Sequence, residues 1–235
     1  MGFSAVLDHA SLRFRPCGRA AYHFARGKLR GDPVYRAVLE GGLLPRDGTV
    51  LDLGCGGGLM LAVLASARGL APADASPARR LVGVETRPQA AAIARRALGP
   101  DAEIVTDDVR LRPLPAARAI LLFDVLNLMP AADQDTLLAA VQAALEPGGV
   151  LLVREADAAA GWRFRAVRAG NWIKACWIGR FAQPFHYRPL TEWRGWLERA
   201  GLEVEVRPMG MGTPFGNVLL VGRKAGERGR PRPPR

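Results

Sequence analysis

Short apolar runs alternate along this chain with longer stretches of helical spacing. Val50-Leu51-Asp52-Leu53, Leu81-Val82-Gly83-Val84-Glu85, Ala102-Glu103-Ile104-Val105-Thr106, Ala119-Ile120-Leu121-Leu122-Phe123-Asp124 and Val150-Leu151-Leu152-Val153-Arg154-Glu155 read as strands. Helical stretches fall between them at Leu59 to Ala67 and Asp133 to Leu145, and the turn Glu146-Pro147-Gly148-Gly149 leads into the fifth run. The fourth run has no polar residue before Asp124, the pattern of a central parallel strand buried on both faces. Glu203 to Pro208 and Asn217 to Arg223 supply a sixth and a seventh strand. Strands alternating with helices predict an α/β fold with a doubly wound sheet, whose ligand sits at the carboxyl ends of the strands.

The first run ends in Asp52, two positions before the cluster Gly54-Cys55-Gly56-Gly57-Gly58, and a helix follows at once. Glycines there allow positive φ and leave no Cβ between the turn and a ligand. Unpaired N–H groups of the new helix face the same space. A dinucleotide fingerprint would need a third glycine where Leu59 stands, and Asp52 would face the diphosphate. An acid beside the turn suits a cationic partner, such as the amino group of an amino-acid-bearing cofactor.

At these residues the chain resembles motif I, V-L-D-L-G-C-G-x-G, of the class I methyltransferases that use S-adenosylmethionine (SAM). The resemblance implies a Rossmann-like doubly wound seven-stranded sheet with an antiparallel last strand, and SAM as cofactor. Glu85, at the end of the second strand, is placed to accept ribose hydroxyls; the long spacing from the glycine turn is taken up by an enlarged loop, Gly69 to Pro77. In Asp107-Asp108-Val109 the family places an acid on the adenine amino group, and Asp108 aligns better than Asp107. Asp124 to Pro130 resembles D-V-L-H-x-L-P with Asn127 in the histidine position, which removes one general base. That segment also lacks the N-P-P-Y type signature of base amino-group methylation and a cysteine for attack on a pyrimidine. Leu145 to Glu155 resembles the element L-x-P-G-G-x-L-L-x-x-E/D that opens the fifth strand. The implied cofactor contacts are Asp52, Gly54, Cys55, Gly56, Glu85, Asp108, Val109 and Asp124.

At 235 residues and 49 % hydrophobic, the chain can bury one full-sized core. The expected organisation is a helical cap over residues 1–45, a SAM-binding domain over 46–223 with a helical insertion at 156–188, and a disordered basic tail over 224–235. No run suggests a membrane span, and Arg13, Arg15, Arg19 and Arg26 interrupt any signal-peptide core, so a cytoplasmic location is expected. Cys17, Cys55 and Cys176 have neither disulfide nor metal-ligand spacing, so free thiols and no metal are expected. The tail holds five basic side chains and one acid, so it carries +4 of the net +11 and leaves +7 on the body. That surface is either simply solvated or matched to an acidic carrier protein, anionic lipid headgroups or RNA.

Two segments outside the sheet must build the acceptor side. In the first, Asp32 caps a helix over Pro33 to Leu44, and Arg26 or Lys28 is a candidate partner for the SAM carboxylate. In the second, Trp162, Phe164, Trp172, Trp177, Phe181, Phe185, His186 and Tyr187 are interleaved with Arg163, Arg165, Arg168, Lys174 and Arg180. Such a stretch is a lid over an aromatic or polyene-like acceptor, an interfacial helix on a membrane, or a helix whose aromatics complete the core. His186, Tyr187 and Glu155 are the candidate catalytic groups, with His23 a further candidate base. P-M-x-x-G-T-P-F-x-N-V-L-L-V and A-R-G-K-L-R-G-D-P-V are similar to methyltransferases of bacterial aryl-polyene and xanthomonadin-type pigment pathways. That narrower resemblance implies a phenolic or carrier-bound acceptor, methylated on carbon or oxygen. An RNA or protein methyltransferase, or a SAM-binding protein without turnover, are the other readings.

Overall fold

A computed structural model describes residues 2–72, 77–111, 113–177, 184–210, 212 and 214–226, without the side chains of Ala78 and residues 173–177. Three helices come first, α1 (Phe3–Leu12), α2 (Arg19–Gly31) and α3 (Val34–Glu40). The sheet then alternates with helices: β1 (Asp47–Leu53), α4 (Leu59–Leu70), β2 (Ala78–Glu85), α5 (Pro88–Leu98), β3 (Glu103–Thr106), β4 (Ala117–Phe123), α6 (Ala131–Ala144) and β5 (Leu145–Ala156). After these come α7 (Trp162–Trp177), α8 (Leu190–Arg199), β6 (Leu202–Pro208) and β7 (Asn217–Lys224). The strand order is β3-β2-β1-β4-β5-β7-β6, with β7 antiparallel to both neighbours and the other pairs parallel. This is the seven-stranded sheet expected from the sequence.

The alternation of buried residues shows why the central strands are so apolar. Ala119 and Leu121 of β4 join the core under α1–α5, while Ile120 and Leu122 face the core under α6 and α8. Val50, Val150 and Leu152 belong to the first core, and Leu51, Leu53, Leu151 and Val153 to the second. Both faces of these strands are therefore covered, which removes the polar alternation a half-exposed strand would keep.

Two expectations need correction. Glu146-Pro147-Gly148-Gly149 is not a separate turn before β5 but lies inside its irregular start: Ala117 pairs with Leu145 and Ala119 with Val150, so the extra residues are taken up as a bulge. The helix expected over Pro33 to Leu44 ends at Glu40, where Gly41 and Gly42 follow. Asp32 nevertheless accepts the Val34 N–H at 3.0 Å.

The chain reverses direction across the sheet between β1 and β4, the switch point at which open α/β sheets leave a crevice. The two strand exits touch there. A Cβ built on Gly54, at φ +73°, would come within 2.5 Å of Val125 Cγ2. Gly54 is required both by its left-handed backbone and by this close approach.

Candidate active site

The glycine turn is closed on itself. Gly54 and Cys55 donate N–H groups to Val84 O at 2.8 and 3.0 Å, Gly58 donates to Cys55 O at 2.9 Å, and Gly56 donates to Glu85 Oε2 at 2.8 Å. These four N–H groups are thus used inside the protein rather than offered to a ligand. What remains at the turn is shape and negative charge. Asp52 is buried, and no hydrogen bond to its carboxylate forms among the described residues; burial, then the neighbouring Glu85, pushes its pKa up to about 7. Glu85 is buried too but well supplied with donors: besides Gly56 it accepts Arg87 N at 2.9 Å and Arg87 Nε at 3.0 Å. Although burial opposes ionisation, these donors and the Arg87 charge hold its pKa below the usual carboxylate value.

Asp108 follows β3, where its carboxylate is held by Arg110 at 2.7 Å, with Arg110 also paired to Asp133 at 3.0 Å. Val109 is buried beside it, and Asp107 Oδ1 accepts the Asp108 N–H at 2.8 Å. Asp124 ends β4 in a left-handed conformation, φ +59°, rare for a residue with a Cβ. Arg154 of β5 holds it there: the buried guanidinium bonds both Asp124 oxygens and also Asp32, at the turn between α2 and α3. Lys28 completes the group, 2.8 Å from Asp32. This cluster ties the N-terminal helices to the mouth of the crevice, and sequence reasoning missed it. The signal was present, because a charge that follows an apolar run into a buried strand demands a partner.

Glu155 lies next to Arg154, fully buried and facing the other core. Its oxygens accept Leu126 N at 2.9 Å, Asn127 N at 3.4 Å and Asn127 Nδ2 at 2.8 Å. Burial, then the Asp124 charge, raises its pKa to about 8. In this arrangement Glu155 shapes the 126–128 turn. Asn127, in the position where histidine is common, serves that turn and its carbonyl accepts the His186 N–H at 2.8 Å. Gln134 Nε2 donates to His186 O at 3.0 Å, so the 185–187 segment is pinned by its backbone.

Phe185 and Tyr187 line a cavity of about 770 Å³ together with Phe164, Arg165, Arg168, Ala169 and Trp172 of α7 and with Ala158, and His186 is not among the lining residues. Tyr187 stacks on Phe185 at 6.0 Å and meets Phe164 edge-on at 5.0 Å, while Asn171 Nδ2 donates to its oxygen at 2.8 Å. Burial first, with smaller contributions from Glu155 and Asp124, pushes the Tyr187 pKa up. Trp162 and Trp172 are 59 % and 63 % exposed, which excludes them from the core. Arg180 and Phe181 lie outside the described residues, as do the side chains of Lys174 and Trp177. Of the N-terminal candidates, Lys28 is paired with Asp32, and Arg26 and His23 are exposed on α2.

A doubly wound sheet with an antiparallel β6–β7 hairpin, a glycine turn after β1 and acids at the ends of β1 and β2 defines the class I SAM-dependent methyltransferases. Residues 23–206 match the family model described as a methyltransferase domain, and the chain belongs to that family. Over 111 residues it is 37 % identical to carboxy-S-adenosyl-L-methionine synthase of Chromohalobacter salexigens, a match covering 45 % of this chain and 39 % of that protein. An O-methyltransferase family protein from Burkholderia thailandensis has the same fold, with TM-score 0.66 and 22 % identity over 92 % of this chain and 63 % of its own. Human N-acetylserotonin methyltransferase in complex with SAM gives TM-score 0.58 at 19 % identity, over 95 % of this chain and 59 % of its own. This chain spans less than two thirds of each of these proteins. These matches lend no support to the narrower pigment-pathway resemblance. The cofactor of the class fits the crevice on a feature of this structure: Asp52 is a buried carboxylate that receives no hydrogen bond among the described residues, beside a turn in which Gly54, Cys55, Gly56 and Gly58 spend their N–H groups inside the protein.

Proposed function

We propose that this chain transfers a methyl group from SAM to a small aromatic acceptor, with the cofactor in the crevice at β1, β2 and β4 and the acceptor in the cavity beneath α7. The observation that carries the reading is that cavity, walled by Phe164, Trp172, Phe185 and Tyr187. Asp52 takes the cofactor's amino group, Glu85 its ribose hydroxyls and Asp108 the adenine amino group. Gly54, Cys55 and Gly56 form the floor, Val109 and Asp124 flank it, and residues 1–45 cap it. SAM when bound supplies a methyl already activated by the sulfonium charge, which leaves orientation and water exclusion to the protein. Tyr187 stays protonated, and because Asn171 donates to its oxygen, its own O–H is free to bond an acceptor oxygen, while the proton that a hydroxyl acceptor gives up on methylation passes to solvent at the open side of the cavity. Glu155 acts through Asn127 as a positioning residue, and His186 contributes through its backbone.

The test is calorimetric titration with SAM, S-adenosylhomocysteine and NAD, followed by mass spectrometry of phenolic acceptors incubated with enzyme and SAM. Binding of both sulfur cofactors but not NAD, with an acceptor gaining one methyl group, is expected. Absence of sulfur-cofactor binding would overturn the reading. The relative named as a carboxy-SAM synthase favours a second one, in which SAM itself is the substrate; a chemically altered SAM with no methylated acceptor would support it.

A further inference from the structure

The acceptor cavity is aromatic and also strongly cationic, with no anion of its own. Phe164, Arg168 and Trp172 recur at helical spacing on one face of α7, with Arg165 beside them, and all four line the cavity. Elsewhere arginines near the crevice are matched by acids: Arg154 by Asp32 and Asp124, Arg110 by Asp108 and Asp133, Arg188 by Asp135. Arg165 and Arg168 have no ion-pair partner among the described residues. The sequence explains why, since Asp157 is the sole acid between Ala156 and Thr191. Its Oδ1 is engaged by the N–H groups of Ala159 and Leu190, each at 2.9 Å.

We infer that the acceptor is an aromatic carboxylic acid, its ring packed against the cluster of Phe164, Phe185 and Tyr187 and its carboxylate read by Arg165 and Arg168. A guanidinium offers a planar fork of donors that matches a carboxylate, and the apolar wall beside it lowers competition from water. A neutral phenol would leave both cations without a counter-charge. The cavity is large enough for a ring with a short side chain, and the two arginines, one turn apart on the helix, set the end at which the acid group lies. This inference rests on the methyl-transfer reading for the word acceptor, but the binding it requires is measured without turnover.

The experiment titrates the 235-residue chain, saturated with S-adenosylhomocysteine, with 4-hydroxycinnamate and with its methyl ester, which keeps the ring and removes the charge. The acid is expected to bind about tenfold more tightly than the ester, the range of a charged hydrogen bond at a half-open site. In the Arg165→Gln/Arg168→Gln double variant the two ligands should bind equally, with S-adenosylhomocysteine affinity unchanged. Equal binding of acid and ester to the unaltered protein, a preference that survives the double substitution, or no binding of either ligand would each overturn the inference. Tighter binding of the ester would do so too and would point to a neutral or tethered acyl group. Failure of S-adenosylhomocysteine to bind at the outset would instead remove the methyl-transfer reading, so the two failures are distinguishable.

Discussion

Replacing Arg154 with methionine removes a buried cation from between two carboxylates. The Arg154 side chain is 5 % exposed, Asp32 is 10 % exposed and Asp124 is 42 % exposed. Deleting one partner of a buried pair destabilises by about 3–5 kcal/mol, because the other charge is left without compensation. Two features reduce that figure. Asp124 is open enough to rehydrate, and Lys28 remains beside Asp32. The Asp32 pKa bounds what is at stake: burial raises it, yet Arg154 and Lys28 bring it from 3.8 down to about 2. At about 1.4 kcal/mol per pH unit, that drop is about 2 kcal/mol of preference for the charged form. Arg154→Met is therefore expected to cost about 2–3 kcal/mol at pH 7, a fall of about 5–10 °C in Tm for a chain of this size. A carboxylate with a depressed folded pKa stabilises above its unfolded pKa and loses that contribution as pH falls through the folded one. The wild-type protein should thus lose stability between about pH 4 and 2 through this group, and Asp32→Asn should flatten that part of the curve. Urea unfolding of both single variants and of the double variant gives the coupling directly. A loss under about 0.5 kcal/mol for Arg154→Met, or strict additivity in the double variant, would refute the claim that this cluster fastens the N-terminal helices.

Other consequences are measurable in the same preparations. With the Asp52 pKa near 7, pushed up by burial and Glu85, SAM affinity should weaken about tenfold per pH unit below that value if the carboxylate receives the amino group, and Asp52→Asn should abolish the slope; a pH-independent Kd in the wild type would sink the assignment. For folding the sign is the opposite of Asp32: an acid whose folded pKa is raised loses stability as pH rises, so Asp52→Asn should be more stable than wild type at pH 8 by chemical denaturation. Gly83→Ala should destabilise by about 1–3 kcal/mol through overpacking, because its Cβ would lie 2.8 Å from Cys55 Sγ, 2.8 Å from Leu61 Cδ1 and 2.9 Å from Ile104 Cδ1. Gly27→Ala, in α2 with nothing within 4 Å of the new methyl, should instead stabilise by about 0.5–1 kcal/mol; the same sign for both would contradict the packing argument.

What was legible in the sequence follows from range. The glycine turn, the strand-ending acids and the near-continuous apolar run of β4 are local patterns dictated by backbone geometry and double-sided burial, so the sheet could be laid out strand by strand. The bulge that absorbs Pro147-Gly148-Gly149 into β5 could not, because it depends on how far Leu145 is drawn along Ala117 by pairing between distant strands. The Arg154 cluster joins residues 122 positions apart, and nothing in the neighbourhood of Asp32 announces it. At the acceptor side, the aromatic and basic composition was visible. Which of them line the cavity is settled by tertiary placement: Phe185 and Tyr187 flank His186, whose N–H bonds Asn127 O from a segment distant in the chain.

These placements give the two halves of the molecule opposite electrical character, and that asymmetry bears on the chemistry. The crevice ends of β1 to β4 present Asp52, Glu85, Asp108 and Asp124, two of them matched by Arg110 and Arg154 and one by Arg87. Among the described residues Asp52 alone of these four receives no donor, and on the proposed reading a cationic ligand completes this side. The cavity beneath α7 presents arginines without acids, so an anion completes the other. On that reading a bound sulfonium would lose its charge on giving up its methyl to a ring oxygen, while a carboxylate held by Arg165 and Arg168 would keep its charge and serve only to anchor the acceptor. On the proposed reading, the basic excess of the body then has a local use in the insertion. Around the crevice Arg87, Arg110 and Arg154 are paired with intramolecular acids, whereas Arg165 and Arg168 face a cavity sized for a small molecule.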